Sequence, residues 1–195
     1  FGSSRKHSHI EGSERPPPPP SDMSEQLFAL LSLSERGLPR CWDEPDTQGD
    51  VLVQTQGAEC QLVQSYVCHT LNRRNVEFDR VLRVQNASVY RSYKRDNVES
   101  LMFHGCRSQV NDNNIVEESF RADKCRSGGP NFGTWFAHTS SYSDQSNFAF
   151  VDQNGWRHLF VCLVSKYDMK TDNGLMRVVG QGGAYPQWIV CYRYA

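Results

Sequence analysis

No apolar run in this sequence approaches the roughly eighteen residues that a membrane-crossing helix needs, so no transmembrane segment is expected. Neither charge sign is in excess. Lys and Arg number 21 against 22 Asp and Glu, for a net charge of −1. Charge therefore gives no support to a protein that coats nucleic acid or lies on a membrane, although Arg91 to Arg95 form a local basic patch. The segment Phe1 to Arg15 lacks the apolar centre of a secretory signal. There is no Cys-x-x-Cys, and the seven cysteines are odd in number. That pattern reads as free thiols in a reducing compartment, cytoplasm or nucleus, and not as a disulfide framework. The triplet Asn86-Ala87-Ser88 matches a glycosylation acceptor by chance in that setting. No Ser-His-Asp pattern, Gly-rich phosphate loop or zinc-ligand spacing stands out, so no metal is expected. No internal repeat is visible.

What is present begins with a segment of Ser, Gly, charge and five consecutive prolines, Pro16 to Pro20. Residues 1–37 read as a disordered Pro-rich linker with one short helix over Met23 to Leu33. His7 and His9 in that tail make a weak metal site at best. Residues 38–195 read as one domain, long enough for a real core. Within it Leu62, Val63, Tyr66, Val67, Thr70 and Leu71 recur at helical spacing. A second helix is expected over Ser88 to Val98, capped by Ser88, and a third over Asn113 to Ser119, capped by Asn111 or Asp112. Strands are expected at Phe78–Val84, Leu101–Phe103, Thr134–Ala137, His158–Val164, Leu175–Val179 and Gln187–Tyr194. Helices and strands do not alternate regularly. An α+β domain with a mostly antiparallel core fits better than a doubly wound parallel sheet.

The stretch Leu101-Met102-Phe103-His104-Gly105-Cys106 carries the most chemistry. It reads as a buried strand ending in a His-Gly pair. Histidine there can aim its ring into a cleft, and glycine lets a ligand approach the backbone. Further on come Gly133-Thr134-Trp135-Phe136-Ala137 and Ser140-Ser141-Tyr142-Ser143. Taken singly, each has a plainer structural reading. A lone histidine is more often a packed residue than a catalytic one, aromatics on a strand are more often core, and a serine cluster is more often a cap or turn.

Their order changes the balance. Leu38 to Ala195 resembles the catalytic domain of the poly(ADP-ribose) polymerase family, closest to members that transfer a single ADP-ribose. The segments that carry the resemblance are Leu38 to Asp43, Arg83 to Tyr93, Leu101 to Gly105, Gly133 to Ala137, Ser140 to Ser143 and Ala184 to Val190. It implies an ADP-ribosyltransferase-like fold, a split antiparallel β core with flanking helices, and NAD as the substrate. It further implies that His104 bonds the nicotinamide-side ribose. Gly105 would offer its backbone N–H and C=O to the nicotinamide amide, and Ser143 would donate its hydroxyl to the same amide. Thirteen residues after Trp135, Phe148 takes the place of a tyrosine that stacks on nicotinamide and keeps the π-face. Arg126, in the loop from Phe120 to Asn131, would meet phosphate.

The sequence departs from the family's His-Tyr-Glu pattern and reads His104, Trp135, Leu175. Indole in place of phenol either walls the nicotinamide pocket or fills it. Leu175 stands nine residues before Ala184, where polymerising members place a glutamate. Leucine accepts no hydrogen bond, so chain elongation is not expected. Cys106 follows His-Gly where threonine or serine is usual and reads as packing, and Asn131 replaces a loop glycine. The implied activity is mono-ADP-ribosyl transfer from NAD to an acceptor protein by a monomer. The alternatives are an inactive binding module occluded by Trp135, and hydrolysis of NAD. The helical regulatory subdomain of polymerising members is not expected in this sequence.

Overall fold

The computed structural model describes residues 20–42, 51–71, 73, 75–124, 133–145 and 148–195. The Pro-rich segment before Pro20, with His7 and His9, lies outside the described residues, as do Cys125, Arg126 and Asn131. The fold is α+β. An eight-stranded antiparallel sheet, ordered β1-β2-β8-β5-β3-β4-β7-β6, carries a few helices. In chain order the elements are α1 (Ser21–Leu30), β1 (Leu52–Gln54), α2 (Gly57–Leu71), β2 (Val76–Val84), α3 (Ala87–Ser92), β3 (Ser100–Gly105) and α4 (Gln109–Glu118). There follow β4 (Thr134–Ala137), α5 (Ser140–Ser143), β5 (Arg157–Val164), β6 (Met169–Asp172), β7 (Met176–Val179) and β8 (Ala184–Tyr194).

The central strands β5 and β8 are buried almost end to end. Their apolar runs, Leu159 to Val164 and Trp188 to Val190, suit strands covered on both faces. α2 lies against the sheet with Val63, Tyr66, Val67, Thr70 and Leu71 inward, the spacing of one helical face. Tyr66 stacks on Phe103, with ring centroids 5.3 Å apart, and donates its hydroxyl to the Leu101 carbonyl at 2.8 Å. α1 packs on α2 and sends Leu27 into the same core, joined by Leu31 just past its end, so the hydrophobic cluster extends back before residue 38. Leu27 is fully buried. Leu27→Ala is therefore expected to cost about 2–5 kcal/mol, read as a lower urea midpoint. An unchanged midpoint would show that α1 does not contribute to the fold.

The sheet has a weak seam. β3 and β5 pair over six residues, Ser100↔Val164 to Gly105↔Leu159. β3 and β4 share a single register pair, Phe103↔Ala137. Strands β4, β7 and β6 thus form a lobe that joins the rest of the sheet through one register pair, next to His104. This is the split expected of the β core.

Several boundaries differ from the sequence expectations for identifiable reasons. The helix expected over 88–98 is only Ala87–Ser92, and its cap is Asn86 in place of Ser88. Asn86 Oδ1 accepts from the Val89 N–H at 3.1 Å. The chain beyond turns on Asp96, whose carboxylate takes the Val98 N–H at 2.8 Å. The next helix starts at Gln109, before the expected Asn113. Asp112 does not cap it but sits in its first turn, with its side chain bonded to the core. The last strand of the smaller lobe starts at Met176. Leu175 is outside it, because Asn173 Oδ1 accepts from the N–H groups of both Leu175 and Met176 in a tight turn. Strands β1 and β6 were not expected. The first is very short, and the second is a polar edge.

Candidate active site

His104 bridges the seam. Its Nδ1 lies 2.8 Å from the Trp135 carbonyl oxygen. A carbonyl can only accept, so Nδ1 carries the proton. The neutral ring then presents Nε2 as a lone-pair acceptor. Burial lowers the pKa of this imidazole, against the pull of the Trp135 carbonyl and the Asp112 charge. The ring is consequently neutral near pH 7. Phe120 and Phe136 hold it edge-on and tilted, at centroid distances of 5.1 and 5.4 Å. Trp135 therefore meets His104 through its backbone. The ring contact is made by Phe136, and alternation along β4 turns the half-buried indole to the other face, shared with Val178.

Gly105, Ser143 and Phe148 converge. A Cβ on Gly105 would stand 2.6 Å from the Ser143 carbonyl oxygen and 2.9 Å from that of Phe148. Only glycine lets β3 pass so close to this backbone. Ser143 Oγ is buried and donates to the Phe103 carbonyl at 3.1 Å. With its proton so used, the oxygen offers an acceptor to a ligand amide. To donate instead, as the resemblance implied, the hydroxyl must turn. Phe148 stacks on Tyr142, with ring centroids 5.9 Å apart and planes 14° from parallel.

The short helix α5 that carries Ser143 is pinned at both ends. At its start the Ser140 N–H donates to Thr70 Oγ1 at 3.0 Å, and Ser140 Oγ donates to the Val67 carbonyl at 2.8 Å. At its end Asp144 accepts from Tyr192 at 2.5 Å and from Tyr194. Arg157 donates to the Asp144 carbonyl at 3.1 Å. Burial, reinforced by the Asp144 carboxylate, keeps both phenols protonated far above neutral pH.

Leu175 does not join these groups directly. It sits on the turn between β6 and β7, exposed, with its carbonyl accepting from the His138 N–H at 2.9 Å. Arg126 lies outside the described residues. Sequence reasoning missed two side chains here, His138 and Asp172, and a third, Asp112, it placed in the wrong role. The position of His138, one residue past β4 and level with Leu175, was the available signal. Among the described residues no group of three or more His, Cys, Asp or Glu could hold a metal ion.

An α+β fold with this eight-stranded antiparallel sheet, and with a histidine where β3 meets β4, is compatible with an ADP-ribosyltransferase-like fold. Comparison with known proteins agrees at that level. A probable poly(ADP-ribose) polymerase of Dictyostelium discoideum is 25% identical over an alignment of 194 positions, and the match covers 80% of this chain and 57% of that protein. The chain thus spans little more than half of that relative's length. No family model matches the chain. The similarity supports a poly(ADP-ribose) polymerase-like domain at the level of the family.

Proposed function

We propose that this domain is an NAD-dependent ADP-ribosyltransferase that moves one ADP-ribose from NAD to a protein acceptor and releases nicotinamide. The observation that carries the proposal is the fixed tautomer of His104 across the seam, next to the backbone-floored slot of Gly105, Ser143 and Phe148. A primary amide needs donors and acceptors in a narrow slot. The backbone of Gly105 and the hydroxyl of Ser143 would supply them, with the nicotinamide ring on Phe148. The unprotonated Nε2 of His104 would accept from a ribose hydroxyl. Arg126 would pair with phosphate.

These groups hold nicotinamide and ribose in one orientation while the bond between them breaks and the ribose gains oxocarbenium character. Burial on one side leaves the opposite face of the ribose to a nucleophile. Leu175 neither polarises a ribose hydroxyl nor carries charge, so transfer stops at one unit.

Incubation with labelled NAD and acceptor proteins tests this. Label should move to protein, and His104→Ala should reduce transfer by at least about a hundredfold. Transfer undiminished in that variant would remove the mechanism. Free ADP-ribose as the only product would make the domain an NAD hydrolase. Failure of the wild-type protein to bind a benzamide, with binding gained in Trp135→Tyr, would make it an occluded binding module.

A further inference from the structure

A second histidine stands just past the end of β4, beside the position where the glutamate is missing. β4 ends at Ala137, but its ladder with β7 runs one step further, through the His138 N–H and the Leu175 carbonyl at 2.9 Å. Alternation places His138 on the same face of the strand as Phe136, whose ring meets that of His104. Phe136 and His138 therefore lie on one face of this part of the sheet, with the His104 ring against Phe136 and Leu175 level with His138.

His138 is oriented. Its Nε2 lies 2.9 Å from Asp172 Oδ1. The other oxygen of that carboxylate accepts from Arg177 Nε at 2.9 Å, and the Gly174 N–H approaches Oδ1 at 3.3 Å. Partial burial works against the Asp172 charge, but the bonds from His138 and Arg177 prevail and hold its pKa down at about 2. A carboxylate that stays ionised keeps the proton of a neutral His138 on Nε2. Nδ1 is then left as a lone pair, with no partner among the described residues. The dyad is open to solvent, with 31% of the His138 side chain and 23% of that of Asp172 exposed.

We infer that His138, held by Asp172, is the general base that takes the proton from an acceptor hydroxyl during ADP-ribosyl transfer; this rests on the transferase reading above. The bond from ribose C1 to the nicotinamide nitrogen breaks, and its electron pair leaves with neutral nicotinamide. The acceptor oxygen bonds to C1, and its proton passes to His138 Nδ1 and then to water. A carboxylate acceptor brings no proton and needs no base. A cationic acceptor would need a free carboxylate, whereas Asp172 is held by His138 and Arg177. The dyad therefore fits a neutral hydroxyl, such as a serine side chain.

The test uses the whole chain, labelled NAD and two synthetic peptides that differ only in serine against glutamate. The wild-type protein should label the serine peptide. His138→Ala should lower kcat for that peptide by about a hundredfold or more, with KM for NAD and benzamide binding near wild-type values. Added imidazole should restore part of the rate, which a purely structural role would not permit. Asp172→Asn should fall between the two, because the ring loses its orientation. Undiminished serine labelling in His138→Ala, or wild-type labelling of the glutamate peptide alone, overturns the inference and leaves the transferase standing. Absence of wild-type transfer to either peptide and to the protein itself overturns both.

Discussion

Gly105→Ala should abolish binding of a benzamide-type amide and, with it, transfer. The new methyl carbon would lie 2.6 Å from the Ser143 carbonyl oxygen, 2.9 Å from that of Phe148 and 3.0 Å from its carbonyl carbon. These are backbone atoms, so no rotamer change relieves the overlap. β3 is held on its other side by six residue pairs to β5, and α5 is pinned by Thr70 and Asp144. The strain must therefore be released by moving the Phe148 segment or by opening the gap between β3 and α5. Either movement displaces the slot by a sizeable fraction of an ångström and stretches the bond from Ser143 to the Phe103 carbonyl. Misplacement on the scale of 1 Å costs about a hundredfold in such a site. The measurement is calorimetric titration with a benzamide, beside a thermal melt. A folded variant that binds like wild type would show that the slot is not built around Gly105. Ser143→Ala is the milder comparison. It removes one hydroxyl without overlap and should weaken binding by about tenfold, the worth of one hydrogen bond.

The difference between what could and could not be read from the sequence lies in where each residue finds its partner. β5 and β8 were legible because strands buried on both faces are apolar without interruption. The face of α2 was legible because its partners are all on one side. The pairing of His104 with Gly105 at a strand end was legible from two adjacent residues. Its tautomer was not, because the partner is the backbone carbonyl of Trp135, and a carbonyl leaves no mark on residue identity. Trp135 itself was weighed as a ring, whereas its carbonyl makes the contact with His104. His138 was passed over for a related reason. Its partner Asp172 is thirty-four residues away on an edge strand whose polar sequence, Met-Lys-Thr-Asp, carries no strand pattern. Asp112 was read, with Asn111 as the alternative, as a cap because an aspartate near a helix start usually is one. A buried imidazole outcompeted the backbone N–H groups for its carboxylate.

That imidazole gives the largest expected effect on stability. His158 Nδ1 lies 3.0 Å from Asp112 Oδ2, and both side chains are buried. Burial alone would push the His158 pKa down. The bonds to Asp112 and to the Cys191 thiol, its cross-strand neighbour on β8, override it and lift the value from 6.5 to about 10. At neutral pH the pair is therefore an imidazolium on a carboxylate, tying α4 to the central sheet. Asp112→Ala leaves the ring buried without its counter-charge and should cost about 3–5 kcal/mol at pH 6. The pH dependence identifies the cause. A group whose pKa rises on folding contributes fully below its unfolded value, and the contribution fades as pH climbs through the folded value. The gap between wild type and Asp112→Ala should thus be widest below pH 6.5 and narrow steadily towards pH 10. Urea unfolding of both proteins across that range measures it. A gap that stays constant from pH 6 to 10 would mean that Asp112 acts by packing alone. Because α4 starts four residues after Gly105, the loosened helix should also weaken benzamide binding at high pH in the wild-type protein, when His158 gives up its proton and the link from α4 to β5 loses its charge.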